Sequence, residues 1–307
     1  MTAHTTPTKR EAEARIRAAL PARERESHKG SYGNALLYCG SAAYTGAATL
    51  AAMGALRTGA GITHLLAPEE ALLPVRIRLP EVVCHPIAGL TAQPHVLSAS
   101  DKLGGARGCI LIGCGIGCGN GSESAAFCEA LANLLATPGL PLVLDADALN
   151  MLATDPRGAC AILALAKRPC VLTPHPAEFS RLTGLPVAEI QADRLRVAAA
   201  FAKESGCTLL LKGHGTVIAA PDGSLTVNPS GTPALAKGGS GDVLAGLITG
   251  LIAGGMAATE AAVCGAYLHG LAGERLEAQD SPTASSPLSC PPPLRGSLRA
   301  CAARIYK

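Results

Sequence analysis

The sequence predicts an α/β fold with a mainly parallel central sheet and helices on both faces. Three observations carry this expectation. From residue 35 onward, short apolar runs alternate with longer helical ones. The apolar runs are continuous rather than alternating in polarity, as in strands covered on both sides. The chain is also apolar enough to fill such a core, with 48% hydrophobic against 16% charged residues over 307 positions. There is no Trp and aromatics are only 3%, so packing falls to Ala, Leu, Ile and Val, and the 35 glycines point to close helix–sheet contacts.

Residues 9–20 carry a weak amphipathic pattern, expected to pack on the surface as part of an N-terminal extension, 1–27. Strands are expected at 35–39, 62–66, 82–86, 109–112, 142–144, 170–172 and 209–211. Runs at 217–219 and 225–227 straddle Pro221-Asp222-Gly223, a hairpin signal. Helices are expected at 45–58, 122–136, 158–167, 187–205, 242–253 and 259–278. One domain, 28–278, would hold all of these. Segment 279–307 is rich in Pro and Ser and poor in core-forming residues, and is expected to be a mobile tail.

A net charge of +3 is too small to argue for nucleic-acid or membrane binding. Residues 31–56 and 243–259 are long and uncharged, but polar residues or glycines interrupt both, which suits buried elements better than a membrane span. The first 29 residues are polar and charged, unlike a signal peptide. Most of the twelve cysteines sit in apolar runs, no CxxC pair occurs, and Cys114 and Cys118 have no completing ligands for a zinc pattern. Buried reduced thiols and a cytoplasmic protein are expected.

In sheets of this kind, ligands bind beyond the carboxyl ends of the strands. Five such ends carry suitable residues. The first leads through Gly40 and Ser41 to Gly46 and Ala47, small residues that would admit a ligand or simply pack tightly. The fourth expected strand runs into Gly113, Gly115, Gly117 and Gly119, whose spacing is not GxGxxG and which suit a backbone-lined wall. Next come Asp145 and Asp147: Asp147 can cap the following short helix, and paired acids can also hold Mg²⁺ through water. His175 lies between Pro174 and Pro176, which fix its backbone, with Glu178 in the first turn beyond. Lys212 then leads Gly213, His214, Gly215 and Thr216, a polyphosphate-contact pattern without a Walker A loop.

The most informative stretch is 231–246. Gly238, Gly239 and Gly241 crowd a turn just before an apolar helical run, where backbone N–H groups and the helix dipole make an anion site. Asp242 sits in that first turn. Its carboxylate can take a proton from a hydroxyl that attacks phosphorus, or can merely complement the dipole.

Taken together, these segments resemble the ADP-dependent NAD(P)H-hydrate dehydratases, which have a ribokinase-like fold. The resemblance runs over about residues 28–275, through 28–33, 40–48, 55–61, 113–117, 144–150, 172–179, 211–216 and 238–246, in family order. It implies repair of NADH or NADPH hydrated at C6 of the nicotinamide, with ADP converted to AMP and phosphate. It implies that Asp242 is the base, that Gly239 and Gly241 cradle the transferred phosphate, and that Lys212, Gly213, His214, Gly215 and Thr216 line the nucleotide site. Ala47, Gly117, His175 and Asp242 would contact the hydrated dinucleotide. Mg²⁺ on the ADP phosphates and a homo-oligomeric state are implied as well.

The chain departs from the family pattern at Cys114, where a proline is usual, and at Ser240, where a threonine is usual. Many relatives carry an N-terminal epimerase domain, and none is expected within 307 residues. Two other readings compete: a vitamin-precursor kinase of the same fold, such as a hydroxymethylpyrimidine or hydroxyethylthiazole kinase, and a catalytically silent nucleotide-binding protein.

Overall fold

A computed structural model describes residues 4–20 and 24–279. Its strands are β1 (His4–Thr5), β2 (Asn34–Tyr38), β3 (Ile62–Ala67), β4 (Val83–Pro86), β5 (Gly108–Ile112), β6 (Leu142–Leu144), β7 (Cys170–Leu172), β8 (Thr208–Leu211), β9 (Val217–Ala219) and β10 (Leu225–Val227). They form one sheet in the order β1-β10-β9-β8-β7-β6-β5-β2-β3-β4. The strands from β8 to β4 run parallel; β9 and β10 are antiparallel additions, and β1 pairs in parallel with β10.

Both faces are buried, which is why the strands read as unbroken apolar runs. Ala35 and Leu37 of β2 face one layer with Cys109, Leu111, Val143, Val171 and Leu210. Leu36 and Tyr38 face the other with Ile110, Ile112, Leu142, Leu144 and Leu172. The first layer is covered by α1 (Lys9–Ala19), α2 (Thr45–Thr58), α3 (Glu69–Arg78), α11 (Ser240–Ala253) and α12 (Ala258–Gln279). Across the sheet lie α4 (Ser100–Gly104), α5 (Gly121–Ala136), α6 (Asp147–Leu152), α7 (Ala159–Leu163), α8 (Pro176–Thr183), α9 (Val187–Ala192) and α10 (Arg194–Ser205).

Helix α11 is apolar nearly all round because it packs on the sheet beneath and on α2 and α12 beside it. Its seam with α2 is backbone against backbone. A Cβ on Gly54 would stand 2.5 Å from the Val243 carbonyl oxygen, and one on Gly246 would overlap the Ala51 carbonyl. Thr58 Oγ1 donates across the seam to the Leu247 carbonyl at 3.0 Å.

Several expectations need correction. The single helix expected at 187–205 is two helices, broken at Asp193, whose carboxylate accepts the Arg196 amide and caps α10. The helix expected at 158–167 shrinks to α7. Helices α3 and α4 and strand β1 were not anticipated, and α8 only through Glu178 in its first turn. The surface helix at the N-terminus buries Ala12 and Ile16 in the main core. The proposed mobile tail lies outside the described residues from 280 onward. Among the described residues, no helix is long and apolar enough to cross a membrane.

Candidate active site

The five strand ends singled out in the sequence belong to β2, β5, β6, β7 and β8, which are consecutive neighbours in the parallel part of the sheet. Their loops therefore rise side by side along one edge. The first turn of α11 joins them there. Its N-cap, Gly239, has φ +89°, a left-handed conformation that a residue with Cβ adopts at a cost. A Cβ at Gly239 would also overlap Leu50 of α2.

At the centre is a charge cluster. Asp145 is only 1% exposed. Its Oδ1 accepts from Lys212 Nζ at 2.7 Å and from Thr173 Oγ1 at 2.8 Å, while Cys114 Sγ lies 3.8 Å from Oδ2. Ligand atoms of Cys114, Asp145 and Asp242 all fall within 4.8 Å of one another. Asp242 is half-buried. Burial first, and then the Asp145 charge, pushes its pKa up to about 6; the Cys114 thiol and the Lys212 ammonium pull the other way, and Asp147 adds a further push up. Burial works against the charge on Lys212, but Asp145 and Glu178 more than offset it and hold its pKa above the ordinary lysine value. Near neutral pH the cluster thus offers an ionised base beside a retained cation.

A cavity of about 640 Å³ meets this cluster at Lys212, while Cys114, Asp145, Gly239 and Asp242 are not among the residues that line it. Lys212, Gly213, His214, Gly215 and Thr216 form one wall, with Gly241 and His175 on others. A Cβ on Gly241 would sit 3.1 Å from Lys212 Nζ, so the helix turn and the lysine face each other closely. His269 of α12 also lines the cavity and stays neutral, its pKa pushed down to about 4 by burial and then by Lys212. The volume suits a small organic ligand the size of a nucleotide.

The remaining expected residues sit around this core. His175 is the N-cap of α8: its Nδ1 accepts the amides of Ala177 and Glu178 at 3.1 and 3.3 Å, and Glu178 Oε2 accepts the His175 amide at 2.8 Å. Ala47 and Gly117 do not line the 640 Å³ cavity. They lie on a neighbouring lip, where Gly115 packs against Tyr44 and Ala47 and where nothing would meet a Cβ on Gly117 within 4 Å. Asp147 is not the cap of the short helix, as one reading had it. Ala146, at φ +51°, holds that position, and Asp147 Oδ2 accepts the Gly117 amide at 2.9 Å.

Mg²⁺ prefers several oxygen ligands and keeps part of its water. The described residues offer no such set at the cluster. Asp145 Oδ1 is taken by an ammonium and a hydroxyl, its other oxygen faces a thiol, and Asp147 is engaged by an amide. A thiol beside two carboxyls is a poor match for a hard cation. The residues present do not fit a protein-held Mg²⁺.

A family model described as NAD(P)H-hydrate dehydratase matches residues 35–291, most of the chain. The chain belongs to the NAD(P)H-hydrate dehydratase family. The ADP-dependent (S)-NAD(P)H-hydrate dehydratase of Neisseria meningitidis is 38% identical over 257 residues, covering 82% of this chain and 80% of its own. A bifunctional NAD(P)H-hydrate repair enzyme of Moorella thermoacetica is 42% identical over 267 residues, 86% of this chain; the chain spans only 48% of that longer relative. The crystal structure of the Bacillus subtilis ADP/ATP-dependent NAD(P)H-hydrate dehydratase, grown with ATP and Mg²⁺, superposes with a TM-score of 0.79 at 33% identity, over 100% of this chain and 99% of that one. The fold is ribokinase-like, as the resemblance implied.

For a dehydratase-family chain, sequence reasoning singled out the two glycine-rich loops, Asp242 and the lysine loop, each local in the sequence. It missed the tie between Asp145 and Lys212, which are 67 residues apart. It also missed Thr173 as a donor to Asp145, and His269, whose helix gave no sign of facing a cavity. Arg194, at the start of α10, escaped notice although it touches the lysine loop at four carbonyls.

Proposed function

We propose that this chain repairs hydrated NADH or NADPH by ADP-dependent dehydration. Asp242 takes the proton from the C6 hydroxyl as that oxygen attacks the β-phosphorus of ADP, and AMP leaves. The new C6 phosphate is a far better leaving group than hydroxide. It departs, C5 gives up a proton, and the ring double bond returns, so the products are NAD(P)H, AMP and phosphate. The amides of the Gly239–Gly241 turn and the Lys212 ammonium would steady the phosphoryl oxygens as charge shifts onto them. Ala47 and Gly117 on the adjoining lip, together with His175 on the cavity wall, would hold the dinucleotide.

The observation that carries this reading is the position of Asp242: a half-buried carboxyl with a pKa near that of a working base, in the first turn of a glycine-rich helix start and next to a lysine-lined cavity. In this reading Mg²⁺ arrives on the ADP phosphates rather than in a protein site, and the enzyme is a cytoplasmic homo-oligomer with residues 28–278 as its catalytic unit. The ten free thiols among the described residues fit a reducing compartment.

The test is direct. Purified protein, hydrated NADH and ADP should regain the absorbance of NADH while releasing AMP and phosphate in equal amounts. ATP-driven phosphorylation of a vitamin precursor, with no action on the hydrate, would overturn the reading in favour of a kinase. Tight ADP binding without turnover would point to a silent nucleotide-binding protein.

A further inference from the structure

The lysine loop is held from behind by one side chain. Arg194 Nη1 donates to the carbonyls of His214 at 2.7 Å and Gly215 at 3.2 Å. Its Nη2 donates to those of Leu211 at 2.7 Å and Lys212 at 3.1 Å. The one carbonyl left in this run, that of Gly213, accepts from Thr216 Oγ1 at 3.0 Å. Every carbonyl from Leu211 to Gly215 is thereby engaged within the loop or on the guanidinium.

Peptide geometry turns this into a statement about the other side. No peptide bond among the described residues is cis. In a trans peptide the N–H points opposite to the carbonyl of the preceding residue. Carbonyls of Lys212, His214 and Gly215 aimed at Arg194 therefore aim the amides of Gly213, Gly215 and Thr216 away from it. These residues line the 640 Å³ cavity, and Arg194 does not. Gly213 is needed for the wrap: its φ is +147°, and a Cβ there would stand 2.9 Å from Arg194 Nη2.

We propose that Arg194 is a positioning residue that shapes the 212–216 loop into a phosphate cradle for the nucleoside diphosphate, gathering the loop's carbonyls so that its amides face the ligand. A run of amides curved in this way binds anions. The guanidinium suits the task because its planar fork presents five donors at fixed angles, whereas a lysine ammonium is a point charge. The proposal rests on the reading of the cavity as the ADP site.

The experiment uses the full chain and measures ADP binding by calorimetry, alongside KM for ADP and for the hydrate. Arg194→Met is expected to weaken ADP binding about tenfold or more, since several hydrogen bonds to a charged group are lost. The hydrate KM should stay near wild type, because the residues proposed to hold that substrate, Ala47, Gly117 and His175, lie outside the 212–216 loop that Arg194 braces. Arg194→Lys should fall between the two. Folded Arg194→Met protein that binds ADP as wild type does would overturn the proposal, and so would equal losses of ADP and hydrate affinity, the pattern of a general structural role. Should Arg194→Met not fold, Gly213→Ala crowds the guanidinium from the loop side and is expected to give the same ADP-selective loss; unchanged ADP binding there would likewise overturn the proposal. Wild-type protein that binds ADP without turning over the hydrate would sink the functional reading and leave this one standing.

Discussion

His175 and Glu178 each hold the other's backbone: the imidazole Nδ1 accepts the Glu178 amide, and the Glu178 carboxylate accepts the amide of His175. Histidine is an unusual N-cap, and this one also forms part of the cavity wall. The two roles can be separated. His175→Asn keeps a good cap and removes the ring, so its melting temperature should stay close to wild type while KM for the hydrate rises severalfold. His175→Ala loses both and should be destabilised by about 1 kcal/mol. Thermal denaturation and steady-state kinetics on the two variants check this; equal KM in His175→Asn and wild type would remove His175 from the substrate site.

Asp242→Asn keeps the shape of the side chain and loses its basicity. Turnover should drop by about a hundredfold or more, the usual share of a general base. ADP affinity should change little. Near-normal turnover in this variant would defeat the assignment of the base.

The raised pKa of Asp242 makes two pH predictions of known sign. A carboxylate acting as base works only when ionised, so kcat/KM for the hydrate should fall as pH drops through about 6. For stability, the folded state holds the proton more tightly than the unfolded chain, so Asp242 costs stability as pH rises from the ordinary 3.8 through about 6. Asp242→Asn should then melt above wild type at pH 7.5, by at most about 3 kcal/mol in stability, and the gap should close near pH 4. A gap that persists in acid, or one of opposite sign, would show that the carboxyl is not perturbed in this way.

The seam between α2 and α11 has no room for side chains at Gly54 and Gly246. Gly246→Ala gains helix propensity, yet its Cβ meets backbone that cannot rotate away, so a net loss of about 1–3 kcal/mol is expected. Gly121→Ala in α5 meets nothing within 4 Å and should be near neutral by the same denaturation assay. Two equal effects would mean that the seam is looser than described.

How much of this was legible beforehand follows from the range of the interactions. The central parallel strands β2, β5, β6, β7 and β8 were readable because they are buried on both faces and show it as apolar runs. Helix α3 was hidden by Pro74, which reads as a breaker yet sits inside the helix. Strand β1 has two residues and no pattern to read. The break at Asp193 needed knowledge that its side chain caps α10 rather than lying on a helix surface. In the site, Asp242, His175 and the lysine loop announced themselves through neighbours in sequence. The grip of Lys212 on Asp145, and of Arg194 on the loop, depends on which strands lie side by side, and no local window contains that information.

The glycine seam has a bearing on substrate choice. Because α2 and α11 mesh main chain to main chain, the start of α2 near Ala47 and the glycine turn at the start of α11 are parts of a single packed slab. Any accommodation of a bulkier or more charged dinucleotide must therefore come from the facing side, where Gly117 borders open space and its loop is tethered through Asp147. Under the proposed function, discrimination between the two nicotinamide coenzymes is a property to seek in that outer lip, not in the wall that holds Asp242.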